Sequence, residues 1–195
     1  MPLSPPVSRR RYHTRKVECH GYHRDDGLWD IEGHMTDVKT YDFSNRDRGE
    51  VKAGEPVHEM SIRLTLDDAF TIQGVEAVTD HGPFGVCGAI APSYECLIGV
   101  VIGPGFRKAV RERLGGRHGC THLTELLFPM ATVAYQTLYA SRTQARRDAG
   151  LPEDEPFDRP KRKPRQIDSC HALSSDSPVV RDHWPDFYTG PDAKR

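Results

Sequence analysis

Between Arg117 and Leu127 the chain reads RHGCTHLTELL. One thiol, Cys120, and two imidazoles, His118 and His122, lie in this stretch. They follow Leu114-Gly115-Gly116 and precede apolar residues at helical spacing. Sulfur and ring nitrogen at a helix start suit a soft or borderline metal ion such as Zn or Fe. The helix dipole and its unpaired N–H groups would favour the ligating thiolate there. His122 falls one turn before Leu126, so its other reading is packing or capping. The chain has 5 cysteines and none forms a CxxC pair, so thiols as core residues, ligands or nucleophiles are expected before disulfides.

Strands and helices that would carry these groups show in the apolar and polar pattern. Residues 17–22 and 28–41 flank Asp25-Asp26-Gly27 and predict a β-hairpin. Trp29, Ile31, Gly33 and Met35 alternate there with polar residues. Residues 42–56 are polar and read as a loop. In VHEMSIRLTL, His58 shares a face with Met60, Ile62, Leu64 and Leu66, which is unusual for an imidazole without a partner. Asp67-Asp68-Ala69 turns the chain into FTIQGVEAVTD, completing four antiparallel strands. Short helices are expected over 89–98 and 105–114, and a long one from Thr121 to about Arg147 with Pro129 inside it. The fold class expected is α+β, an antiparallel sheet with helices on one face. Residues 1–10 read as a tail, 11–149 as one domain, 150–169 as a Pro- and charge-rich linker, and 170–195 as a segment draped on the core.

Two resemblances follow from quoted segments. RRRYHTRKVECHGYHRDDGLWDIEGHMTD and GPGFRKAVRERLGGRHGCTHLTELL resemble the bacterial family known as domain of unknown function 2889. The hairpin 57–79, the loop Phe84-Gly-Val-Cys87-Gly-Ala-Ile-Ala-Pro-Ser93 and the helix opening Gly119-Cys120-Thr-His-Leu123 are similar to the U-type iron–sulfur scaffold over residues 56–140. That resemblance implies a shared site. Cys87 takes the place of the second family cysteine and Cys120 that of the third. Pro56 stands where the first would be, and His58 where the family has aspartate.

The resemblance and the inward His58 together point to a metal held by His58, Cys87 and Cys120. Asp80, His81, His118, His122 or a residue of the C-terminal segment would complete it. The function expected first is a small metal-dependent enzyme of lyase or hydrolase type, using Zn or mononuclear Fe on a small organic molecule. His122, Asp80 and His81 are the acid–base candidates. Phe84, Tyr41, Phe43 and Tyr188 near the mouth would suit an aromatic substrate. The rivals are an iron–sulfur or sulfur-transfer carrier and a structural zinc domain for protein interaction.

Other features read more plainly. Cys96, beside Leu97 and Ile98, reads as apolar filler. Cys19-His20 and Cys170-His171 read as packing or surface pairs, each able to turn one side chain inward. The second pair could also lid the site. Asp25, Asp26, Asp67 and Asp68 read as turn residues. Hydrophobic content is 36%, charged content 28% and net charge −1, which gives no basic field for nucleic acid. The basic clusters at 9–11 and 159–165 read as solvated tail and linker. No apolar run is long enough to cross a membrane. The start lacks a signal-peptide core, so the cytoplasm is the compartment expected. A small-molecule substrate is the expected partner, and self-association is compatible with the sequence.

Overall fold

The computed structural model describes residues 3–148, 150, 163–164 and 166–193. Most of the expected linker lies outside these residues. By internal contacts the chain forms two units, Met1–Ser141 and Arg142–Arg195.

The first unit is an antiparallel sheet with helices, so the α+β reading holds. Its strands are β1 (His13–His23), β2 (Trp29–Lys39), β5 (Pro56–Leu66) and β6 (Ile72–His81), in the order β1-β2-β5-β6. The hairpin turns sit where the sequence puts them. Gly27 adopts φ 84° after Asp26 accepts from the Leu28 N–H. Asp67 Oδ1 accepts from the N–H groups of Ala69 and Thr71. Alternation sorts each strand: Trp29, Ile31, Met35, Met60, Ile62, Leu64 and Leu66 are buried on one face. Residues 42–56 are not wholly loop. β3 (Phe43–Asn45) and β4 (Gly49–Val51) pair as a small hairpin, with Asn45 accepting from the N–H groups of Asp47 and Arg48. Asn-capped turns of this kind need no apolar pattern, so polarity alone hid the hairpin.

Cys87–Leu97 is a 3₁₀ helix rather than α, with Pro92 inside it lacking an amide donor. Tyr94 and Leu97 face inward and Cys96 is exposed, so Cys96 is not core filler. α1 (Phe106–Leu114) buries Phe106, Val110 and Leu114. α2 (Thr121–Asp148) runs through Pro129 without ending. Leu123, Leu126, Leu127, Met130, Ala134 and Leu138, at helical spacing, are buried in the common core. Two glycines let α2 approach the sheet. A Cβ on Gly33 would lie 2.6 Å from Met130 Sδ, and one on Gly21 would lie 1.9 Å from Thr137 Oγ1. No described helix is long and apolar enough to cross a membrane.

Within the second unit, α3 (Pro178–His183) is capped by Ser177, whose hydroxyl accepts from the Val180 N–H. Asp168 Oδ1 accepts from the Ser175 N–H, closing the loop before it.

Candidate metal centre

The apolar face of the sheet carries charge at one end. Arg15 on β1 pairs with Asp37 on β2, and Asp37 pairs with His58 on β5. The three therefore form one row across the sheet, on the same face as Met35 and Met60. His13 stands two residues before Arg15 on that face. The first turn of α2 adds His122 above the row.

The start of α2 is pinned from below. The buried Tyr94 hydroxyl accepts from the Cys120 N–H at 3.0 Å and lies 2.8 Å from both Cys120 O and Thr124 Oγ1. Burial pushes the Tyr94 phenol up to about 12, so it keeps the proton it donates. This anchor sets the positions of Cys120 and His122.

Asp37 is the centre of the group and is only 1% exposed. Arg15 donates from Nε to Oδ1 at 2.9 Å and from Nη2 to Oδ2 at 2.7 Å. His13 Nε2 is 2.9 Å from Oδ1. Burial pushes the Asp37 carboxyl up, but the hydrogen bonds from Arg15 and His13 outweigh it and hold the group at about 2. An ionised carboxylate only accepts, so His58 Nδ1 donates across its 3.1 Å contact with Oδ2. His122 Nε2 lies 3.9 Å from the same oxygen. The His58 and His122 rings lie 3.8 Å apart, centre to centre. Both imidazoles are shifted down. Burial is the main cause for each, joined by His122 for His58 and by Arg15 for His122, with Asp37 opposing. Neutral rings are the form that binds metal.

One donor atom each from Asp37, His58 and His122 lie within 4.8 Å of one another, making a two-histidine, one-carboxylate group. Donors sharing an ion at about 2.1 Å are themselves about 3–3.5 Å apart, so the three would have to draw together around one. Arg15 and His13 fix the carboxylate from behind, as outer partners of metal ligands do. Beside the group lies a cleft of about 210 Å³. Arg15, Val17 and Met35 line it from the sheet, and His122, Glu125, Leu126 and Pro129 from α2.

The structure places the residues singled out in the sequence as follows. His58 faces inward, and its partner is Asp37. His122 joins it. Cys120 sits at the edge, with Sγ 3.8 Å from His122 Nδ1 and 3.9 Å from Met60 Sδ. Cys87 packs against Gly82 at the end of β6, where an added Cβ would lie 3.1 Å from its sulfur. Neither cysteine belongs to the close donor group. His81 faces the other side of the sheet and lies 2.8 Å from Glu59, the neighbour of His58 on its strand. Asp80 and His118 are exposed. Tyr41 and Phe43 gather around Lys39 and do not line the cleft, and Phe84 is exposed. Of the Cys19-His20 pair, Cys19 packs on the core. Cys170 and His171 are exposed.

Asp37, Arg15 and His13 were not singled out from sequence, yet a signal existed. Continuing the alternation Trp29-Ile31-Gly33-Met35 by one step puts Asp37 on the apolar face, where a carboxylate needs partners. Antiparallel register then places Arg15 opposite it.

No curated protein and no solved structure matches the chain, so the likeness to the U-type scaffold gains no support from these comparisons. The family model described as protein of unknown function (DUF2889) does match, over residues 13–136. With well over half of the sequence covered, and with it every residue from His13 to His122 that builds the carboxylate–imidazole group, the chain belongs to that family.

Proposed function

We propose that the protein is a small metal-dependent enzyme whose Zn or Fe ion is held by Asp37, His58 and His122. The observation carrying this reading is the close donor group, centred on a 1% exposed carboxylate, with His122 bordering a cleft. Two imidazoles and one carboxylate suit Zn in hydrolytic sites and non-haem Fe in others, and both leave coordination positions for substrate. Such an ion would supply Lewis acidity or ease deprotonation of water, which fits lyase or hydrolase chemistry on a small organic molecule. The chain's own residues orient the carboxylate through Arg15 and His13 and keep both rings neutral. The reading keeps the expected metal and His58. It replaces Cys87 and Cys120 as ligands by Asp37 and His122.

Elemental analysis of untagged protein, with a chelator competition for Zn, tests it. The wild type is expected to carry about one ion per chain. His58→Ala and His122→Ala are expected to weaken binding by about a hundredfold or more, exceeding the roughly 10–100-fold effect of losing an outer partner. Cys87→Ala is expected to bind as the wild type does. Loss of the ion in Cys87→Ala, with retention in His122→Ala, would return the site to the cysteines.

Cys120 has an orienting place in this scheme, because its sulfur faces the His122 nitrogen turned away from Asp37. Cys120→Ala is expected to lower metal affinity about tenfold, and Cys120→Ser to recover most of it, since a hydroxyl can also partner Nδ1. Equal affinities for the two variants would remove that role.

A further inference from the structure

We infer that the cleft beside the proposed metal site takes a small monocarboxylic acid with an apolar body, gripped by the outward edge of Arg15. The inference rests on the metal reading for the chemistry performed. The anion grip rests on Arg15 alone.

A guanidinium carries five N–H donors in a rigid fork. Bonds from Nε and Nη2 to the buried Asp37, and from Nη1 to Glu125, account for three of those in Arg15. The bidentate grip on a 1% exposed carboxylate fixes the plane of the cation. Its side chain is still 36% exposed and lines the cleft. The cation is thus held in place with donors left for a second anion. Glu125, which takes Nη1 at 2.9 Å, is 57% exposed, so its ion pair is of the weak surface kind and can give way. The rest of the wall is largely apolar: Val17, Met35, Leu126 and Pro129. A volume of about 210 Å³ falls below the roughly 300–1,000 Å³ of pockets for drug-sized ligands, so the body must be small. His122 borders the same cleft and belongs to the donor group. A carboxylate on Arg15 would therefore present the rest of the molecule toward the proposed ion.

Calorimetric titration of the full chain with benzoate, benzamide and benzylamine tests this, with and without one equivalent of cobalt(II), whose visible spectrum reports its own coordination. Benzoate is expected to bind saturably and at least about tenfold tighter than either isostere. Glu125→Gln removes the competing negative charge from Nη1 without touching Asp37 and is expected to tighten benzoate about fivefold while leaving benzamide unchanged. Arg15→Gln is expected to bring benzoate down to the level of benzamide. If cobalt binds but benzoate shows no advantage over benzamide, or Glu125→Gln leaves benzoate unchanged, the inference is overturned and the metal reading stands. Preferred binding of benzylamine also overturns it, by naming Glu125 as the recognised charge. If cobalt is refused while the benzoate preference persists, the metal reading fails and the anion site stands.

Discussion

Asp37→Ala is expected to abolish metal binding and to destabilise the metal-free protein by about 3 kcal/mol. The carboxylate is the shared acceptor for Arg15, His13 and His58, and removing one partner from a buried ionic group typically costs about 3–5 kcal/mol. The lower end applies because Arg15 is partly exposed and keeps Glu125 and water as partners. Asp37→Asn separates charge from shape and is expected to lose the ion while recovering part of the stability. Urea unfolding after chelator treatment checks both. An unchanged midpoint in Asp37→Ala would mean that the network contributes nothing to folding.

The same carboxylate sets an acid limb. Its folded pKa, held at about 2, lies below the usual 3.8. The ionised form is therefore stabilised by folding. That contribution, about 2 kcal/mol, is fully present above pH 4 and is lost as pH falls toward 2. His58 and His122 act earlier. Their pKa values are lowered from 6.5, so the unfolded chain takes up protons first, and stability declines as pH drops through 6.5. Melting temperatures of metal-free protein are expected to fall in both windows. In Asp37→Asn the lower decline is expected to flatten.

Gly21→Ala is expected to cost about 2 kcal/mol, an overpacking penalty only partly offset by the smaller entropy an alanine loses. The added Cβ would stand 1.9 Å from Thr137 Oγ1 and 2.8 Å from Thr137 Cβ. A threonine Cβ cannot swing aside, so α2 or β1 must move. Gly33→Ala offers the internal comparison. Its obstruction is the thioether of Met130, which can change rotamer within the core, and its expected cost is about 1 kcal/mol. Denaturant midpoints with unchanged slopes would measure both. The reverse order would mean that α2 does not lean on the sheet through Gly21.

Alternation, turn chemistry and helical spacing were local signals, and they were sufficient for the sheet, its two long hairpins, α1 and α2. They also turned His58 inward, because a strand of period two leaves its side chains only two faces. Local pattern was thus enough for the four long strands, α1 and α2, and for the face each residue of a long strand takes, but not for the β3–β4 hairpin or the exposed Cys96. Which inward polar groups meet was settled by long-range packing. That outcome depends on strand register and on where the Tyr94 anchor sets the first turn of α2, and neither is encoded within a local window. Asp37 and His58 lie 21 residues apart in sequence and become neighbours through one register. Cys87 and Cys120 stand in a suggestive pattern, yet the fold places Cys87 against Gly82 and Cys120 at the edge of the donor group.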